Sequence, residues 1–278
     1  MLSMLRSRRV NLVLICLALG SALSCAAIGR LNILTTEQEV AIGSKVAQEV
    51  ESEVKLYNDP IVVAYIDGLG QALVRHSKRS DIQYHFQVVD TSQVNAFALP
   101  GGWIYVNRGL ITTAENESEL TSVMAHEIAH VVARHGARQI TKQFGLAVLI
   151  RLATGESENR SLEREIAETF MGIGAGLTLL RYSREAEREA DQLAVEEMYA
   201  AGMDPNGMVT FFEKLLAVHT SEPSGAAVWL STHPPTQERI ADIRAAIKTL
   251  PPKPHLQVDS ERFQKIKARI LKCQATVH

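Results

Sequence analysis

Cysteine is scarce in this chain of 278 residues, and what the sequence lacks excludes several classes of protein. The three cysteines, Cys16, Cys25 and Cys273, are too few for a disulfide framework. The formal net charge of −2 gives no basic surface of the kind that binds nucleic acid, so no nucleic-acid partner is expected. Apolar runs are also short, because neither Phe144–Leu152 nor Phe170–Leu180 is long enough to cross a bilayer as a helix.

The N-terminus has the pattern of an export signal. Several arginines precede the apolar run Val10–Leu23, which is of signal-peptide length. The run ends in Ala22-Leu-Ser-Cys25, which resembles the lipobox of bacterial lipoproteins, although Ala22 stands where an aliphatic residue is commonest. We predict a lipoprotein-type signal peptide over residues 1–24, lipidation of Cys25 and membrane tethering through that anchor. Ordinary secretion and an uncleaved anchor are the alternatives, and all three place the folded part outside the cytoplasm.

The sequence His126-Glu-Ile-Ala-His130 carries the clearest chemical signal. On an α-helix, residues four apart lie on one face, so His126 and His130 can offer imidazole nitrogens to one point outside the helix. Glu127 lies about 100° further round, where it can reach a water at that point. Two neutral imidazoles with an adjacent carboxylate suit a zinc ion and a general base. We therefore predict one Zn²⁺ per chain, with Glu127 as the base.

The alternative is that this H-E-x-x-H motif occurs by chance on an ordinary helix. The stretch from Thr121 to His135 is apolar almost all round, which predicts a buried helix, and Asn116 followed by Glu119 is a typical helix start. Because buried histidines need partners, the metal is the better explanation.

The third ligand is harder to find. The metzincin pattern would place another histidine where Gly136 stands, and His135 on a continuous helix would lie about 180° from His126. A later segment offers Glu187 and Asp191, four residues apart, as a metal ligand and an acceptor for a ligand's ring N–H. On composition alone, an ordinary charged helix surface explains that pair better.

A small sheet is predicted ahead of the metal helix. Residues Ile82–Val89 alternate between apolar and polar, Pro100-Gly-Gly102 predicts a turn, and strand-like residues follow it. Those residues are Trp103, Ile104, Tyr105 and Val106. We predict an antiparallel pairing, in which an edge strand could accept an extended peptide; a plain core hairpin is equally compatible with the pattern.

The other segments read as helices. Capped starts occur at Thr35 and at Asp59-Pro60, and three further helices follow Tyr182 before the Pro-rich break at residues 251–254. The prediction is a mostly helical α+β domain over residues 25–250, followed by a tail helix within residues 251–278.

Four ordered motifs together resemble a known family. They are Asn95-Ala-Phe-Ala-Leu-Pro-Gly-Gly102, the H-E-x-x-H stretch, Ser183-Arg-Glu-Ala-Glu-Arg-Glu-Ala-Asp191 and Ser231-Thr-His-Pro-Pro235. They are similar to those of the gluzincin zinc metallopeptidase family that contains the CAAX prenyl endopeptidases, HtpX, BepA and LoiP, and most similar to its periplasmic, lipoprotein branch. The chain departs from the prenyl endopeptidases and HtpX in lacking multiple spanning helices, so prenylated-peptide chemistry is not expected.

The resemblance assigns roles to residues that spacing alone left open. It implies a zincin-like fold with His126, His130 and Glu187 as zinc ligands, Glu127 as the base, Asp191 behind a ligand, and substrate paired with the strand Trp103–Val106. By the same resemblance, His233 and Arg239 lie near the site and stabilise the oxyanion, or His233 fills the open zinc position.

The function implied is a zinc endopeptidase on the periplasmic side of the bacterial envelope, acting on unfolded or misassembled proteins. The alternative is an envelope chaperone or assembly factor with a closed or latched zinc site. The natural substrate and the oligomeric state are left open.

Overall fold

The computed structural model describes residues 32–154, 181–219 and 227–275. Its helices are α1 (Thr36–Glu53), α2 (Pro60–Val74), α3 (Arg108–Thr113), α4 (Glu117–Val132), α5 (His135–Thr154), α6 (Arg184–Ala200), α7 (Asn206–His219), α8 (Ala227–Thr232), α9 (Gln237–Thr249) and α10 (Glu261–Ala275). Its strands are β1 (His85–Val89), β2 (Ala96–Leu99) and β3 (Trp103–Asn107). The predicted signal peptide, Cys25 and residues 170–180 lie outside the described residues. The mostly helical α+β class is confirmed.

The sheet is mixed, so the predicted antiparallel sheet is wrong in part. Strands β2 and β3 form an antiparallel hairpin, but β1 pairs with β3 in parallel, which gives the order β1-β3-β2. After the hairpin turn, β3 lies between β1 and β2 and pairs with both. Because β1 and β3 run in the same direction, their pairing is parallel. Trp103, Ile104, Tyr105 and Val106 therefore lie in the central strand, whose backbone is paired on both sides, and cannot form the edge that was predicted to receive a substrate.

Two glycines make the hairpin turn possible. Gly101 and Gly102 have φ values of 79° and 107°, in the region that side chains with a Cβ rarely adopt. A Cβ on Gly102 would also lie 2.4 Å from the carbonyl oxygen of Gln83. The turn thus fixes the point at which β2 ends, directly beside the predicted metal helix.

Helix α4 lies at the centre of the core. The side chain of Asn116 accepts a hydrogen bond from the Glu119 amide at 3.0 Å, which confirms the predicted helix start. Nearly every residue of α4 is buried, between one sheet face, α2, α6 and α7. A second apolar cluster joins α1 and α5 to the opposite face of the sheet. Because α4 is packed on all sides, its polar side chains have fixed surroundings.

The tail helix belongs to the same core. Phe263, Ile266 and Ile270 of α10 are buried in the cluster that contains α4, and the Ser118 amide donates to the Val258 carbonyl at 2.9 Å. The core therefore includes residues beyond position 250. Among the described helices, none combines the length and the apolar character that crossing a membrane requires.

One buried carboxyl away from the site has an unusual environment. Glu197 on α6 is 4% exposed, and neither carboxylate oxygen has a hydrogen-bond partner among the described residues. Burial raises the pKa of Glu197 to about 8. In the unfolded chain the group ionises near its ordinary value of 4.5, so the folded state binds the proton more tightly. Glu197 therefore lowers the free energy of unfolding progressively as pH rises from about 4.5 to about 8.

Replacing Glu197 with glutamine is expected to stabilise the protein at neutral and alkaline pH. The expected gain in the free energy of unfolding is a few kcal/mol, because each unit of pKa shift corresponds to about 1.4 kcal/mol. Urea unfolding of the metal-free protein at pH 5 and pH 8 gives the free energy of unfolding at each pH. Between pH 5 and pH 8 the variant is expected to lose less of this free energy than the wild type. Glu196→Gln, on the exposed neighbour that pairs with Lys78, is the matched control. An equal loss of stability in wild type and Glu197→Gln would contradict the prediction.

Candidate metal centre

Four side chains predicted for the site converge in the core. One ligand atom from each of His126, His130, Glu187 and His233 lies within 4.8 Å of the others, and all four residues are buried. The Nε2 atoms of His126 and His130 are 3.0 Å apart, as expected for histidines one turn apart. The Glu187 carboxylate lies 3.4 Å from His126 Nε2 and 3.5 Å from His130 Nε2. The structure therefore brings Glu187 next to both imidazoles, as the sequence analysis predicted.

Helix α6 places Glu187 because of where it starts. The Ser183 hydroxyl accepts from the Ala186 amide at 3.3 Å, which fixes the first turn, and α6 packs along α4. Glu187 and Asp191, one turn apart, both face α4, while Glu185 is exposed. The charged-surface alternative is thus wrong for Glu187 and Asp191, which are both 3% exposed.

Asp191 lies behind His126, one of the candidate metal ligands. Its Oδ1 is 3.0 Å from His126 Nδ1, the ring nitrogen that faces away from the cluster. Arg239 donates two hydrogen bonds to the Asp191 carboxylate, each 2.8 Å long, and its Nη1 lies 3.0 Å from Glu187 Oε2. Arg239 therefore holds both carboxylates. The oxyanion role of Arg239 stays a prediction, since its guanidinium is engaged by these two partners.

His233 completes the cluster from the loop after α8. Its Nδ1 lies 3.0 Å from Glu187 Oε1 and 3.3 Å from His126 Nε2. The ring stacks on the indole of Trp229, with ring centroids 5.4 Å apart. His233 thus stands where a fourth ligand would, the position that its latching role requires.

Glu127 presents a free acceptor beside these ligands. It is 1% exposed, and its Oε1 has no hydrogen-bond partner among the described residues. The imidazole of His233 lies close by, with its Nε2 3.6 Å from that oxygen. Burial raises the pKa of Glu127, which suits a group that accepts a proton and later returns it.

Sequence reasoning missed two aromatic contacts to His130. His135 does not join the cluster, as predicted, but its Nδ1 lies 2.7 Å from His130 Nδ1. Tyr182 stacks on the His130 ring at a centroid distance of 4.2 Å. The expectation that His135 points away assumed a continuous helix, whereas α4 ends at Val132 and α5 restarts at His135.

The donor set fits a zinc ion. Histidine nitrogens and a carboxylate are the ligands of catalytic zinc sites, and a free acceptor oxygen lies next to them. Burial opposes charge on Glu187, but His233 and His126 hold its pKa well below the ordinary range, so it is a carboxylate. Burial and the charge of His126 lower the pKa of His130, so that ring is neutral. For His126, burial opposes protonation, but Asp191 and Glu187 raise its pKa to about 9, so metal binding must release a proton there.

A crevice too narrow to admit a water molecule lies between the sheet and His130. Ala98, Leu99 and Pro100 line it on one side, and Tyr182 and His130 on the other. The strand that reaches the metal cluster is therefore β2, the outer strand of the sheet, and not β3.

Comparison with known proteins gives relatives that are all described as peptidases or proteases. The model of "Peptidase family M48" matches residues 60–247. The beta-barrel assembly-enhancing protease of Escherichia coli is 33% identical over 252 residues, which cover 86% of this chain and 50% of that relative. The mitochondrial metalloendopeptidase OMA1 of Schizosaccharomyces pombe is 30% identical over 220 residues, covering 77% and 62%, and the Escherichia coli metalloprotease YcaL is 27% identical over 164 residues, covering 59% and 62%.

The chain spans about half the length of the beta-barrel assembly-enhancing proteases that it matches. The matched region includes all four residues of the metal cluster, so the family model and the geometry concern the same site. The resemblance drawn from the motifs is confirmed. The chain belongs to peptidase family M48.

Proposed function

We propose that this chain is a zinc-dependent endopeptidase of the bacterial envelope that hydrolyses peptide bonds in unfolded or misassembled proteins. One observation carries the proposal: the buried group of His126, His130 and Glu187 lies beside a Glu127 carboxyl with an unpartnered oxygen. The names of the relatives, among them a beta-barrel assembly-enhancing protease and two other metalloproteases, support the same activity.

The residues of the site have separable tasks in this reaction. When bound, zinc supplies a Lewis acid that polarises the scissile carbonyl and lowers the pKa of a water. Glu127 takes a proton from that water and passes it to the leaving amine. Asp191 orients His126 through its Nδ1, and Arg239 holds Glu187 and Asp191 in place.

The outer edge of β2 is the proposed docking edge for the substrate backbone. The Asn107 amide donates to the Asn95 carbonyl at 2.9 Å, so alternation along the ladder directs the backbone groups of Phe97 and Leu99 toward β3. The amides and carbonyls of Ala96 and Ala98 then face away from the sheet. Ala96 and Ala98 are 1% and 4% exposed, so an extended peptide that adds a strand there must first displace the groups that cover this edge.

The envelope location rests on the leader. A signal peptide over residues 1–24 and a lipid on Cys25 would tether the domain to a membrane on the periplasmic side. The mass of the N-terminal peptide of the mature protein tests the lipid anchor. A peptide that begins at a lipid-modified Cys25 supports the anchor. An unmodified or an uncleaved N-terminus contradicts it and points to ordinary secretion or to an uncleaved anchor.

The central test is degradation of casein, an unfolded protein, by the purified mature chain. We expect loss of intact casein, its prevention by a zinc chelator, and recovery when zinc is added back. The chelated protein is the matched control, because its sequence is unchanged and zinc added back should restore its activity. Persistence of cleavage in metal-free protein would contradict a zinc peptidase.

The position of His233 favours one second candidate, a latched site in an envelope chaperone or assembly factor. If His233 closes the zinc site at rest, His233→Ala is expected to raise casein cleavage severalfold, because a ligand position opens to the substrate. The initial rate of casein cleavage measures it. The exposed His76, replaced with alanine, serves as the control. A fall in rate for His233→Ala would instead favour its oxyanion role.

A further inference from the structure

The two histidines on α4 are supported from behind in parallel ways. Behind His126, the chain of contacts is an imidazole, a carboxylate and an arginine: His126 Nδ1, Asp191 and Arg239. All three groups are buried, and the family resemblance implied this place for Asp191 behind a ligand. A metal-binding histidine needs such an acceptor at its second ring nitrogen, because the acceptor fixes both the tautomer and the ring orientation.

Behind His130, the corresponding chain has one extra imidazole. His130 Nδ1 lies 2.7 Å from His135 Nδ1, and His135 Nε2 lies 3.1 Å from Glu189 Oε2. Arg138 donates to the same Glu189 oxygen at 3.2 Å. The side chain of Glu189 is 48% exposed, so this chain leads from the buried cluster to the surface.

The direction of the hydrogen bonds follows from the acceptor at the outer end. The carboxylate of Glu189 accepts, so His135 donates from Nε2. In a neutral imidazole the other nitrogen is then an acceptor, and His135 Nδ1 receives the proton of His130 Nδ1. This leaves His130 Nε2, which faces the other ligands, without a hydrogen and able to bind a metal.

The fold brings His135 to this place by breaking the helix. On an uninterrupted helix, a residue five positions later would lie about 140° round from His130. Arg134 has a φ of 56°, which ends α4 and turns the chain. That conformation is held from a distance, since Arg134 Nε donates to the buried Glu39 at 2.7 Å and Nη2 donates to the Leu34 carbonyl at 2.8 Å.

We propose that His135 and Glu189 are positioning residues for His130, which fix its tautomer and orientation and thereby strengthen zinc binding. The inference rests on the zinc site of the proposed function. Neither residue touches the substrate or the reacting atoms in this account. His135 and Glu189 support His130 as Asp191 supports His126, but the Glu189 carboxylate is accessible to solvent.

The test is the zinc dissociation constant of the full mature chain, measured by competition with a fluorescent chelator at neutral pH. His135→Leu removes the acceptor and is expected to weaken zinc binding about 10- to 100-fold. His135→Asn keeps a carbonyl oxygen near the place of Nδ1 and is expected to recover most of that loss. Glu189→Ala removes the acceptor for His135 and is expected to weaken binding severalfold.

Glu185→Ala is the matched control for Glu189→Ala, because Glu185 is exposed on the same helix and outside the cluster. Wild-type affinity in His135→Leu would overturn the proposal, and so would equal losses in His135→Leu and His135→Asn, since an acceptor would then be irrelevant. If His135→Leu fails to fold, the comparison of Glu189→Ala with Glu185→Ala decides alone. A wild-type chain that binds no zinc would overturn the proposed function itself.

Discussion

Replacing Glu127 with glutamine is expected to abolish measurable peptide hydrolysis while zinc stays bound. Glutamine has the same size, and the Glu127 Oε1 atom has no hydrogen-bond partner among the described residues, so the packing around the cluster should persist. An amide cannot accept the proton of the attacking water. General acid–base catalysis contributes about 10²- to 10⁴-fold, and kcat for casein-derived peptides should fall by at least that range. The measurement pairs kcat with the zinc content of each purified variant.

Glu185→Gln is a suitable control for this substitution, because it changes an exposed glutamate outside the cluster in the same way. Unchanged kcat in Glu127→Gln with normal zinc content would remove Glu127 as the base. Loss of zinc together with activity would give Glu127 a role in holding the metal cluster, which its place beside His126 does not require.

Sequence spacing predicted that His126 and His130 meet, because four residues make one turn of a helix. Spacing also placed Glu187 and Asp191 on one face of a helix, but the family resemblance, and not spacing, gave these two residues their roles. The buried character of α4 followed from its apolar composition, and its start followed from Asn116. Such features need only local geometry, which the sequence determines directly.

Spacing could not assign His233 and Arg239, because they reach the site from a separate loop and helix. Their contacts with Glu187 depend on how α8 and α9 pack on α6, a long-range arrangement. The family resemblance supplied these residues, and the structure places them around Glu187. Their individual tasks remain proposals that the His233→Ala experiment begins to separate.

The strand order was mispredicted and the helix break was left open for a common physical reason, because both depend on distant residues. Strand patterns give the faces of a strand but not its neighbours, so Trp103–Val106 looked like an edge although β1 pairs beside it. The comparison of His135 with His126 assumed a continuous helix, and the sequence left open whether the helix continues or breaks near Gly136. Arg134 has no glycine's freedom, and its left-handed conformation depends on Glu39, a residue 95 positions earlier in the chain.

Replacing Glu187 with alanine is expected to remove zinc, with an affinity loss greater than the 10- to 100-fold that follows loss of a partner behind a ligand. Glu187 is the carboxylate that contacts both His126 and His130, and its pKa is held low enough for it to be charged. Without it, the guanidinium of Arg239, which lies 3.0 Å from the Glu187 carboxylate, would face the dication with Asp191 as its remaining carboxylate partner. Zinc per chain and the dissociation constant are the measurements, with Glu185→Ala as control. Because His233 stands in the same cluster, unchanged zinc binding in Glu187→Ala would identify His233 as the third ligand and make the glutamate a holder of Arg239 instead.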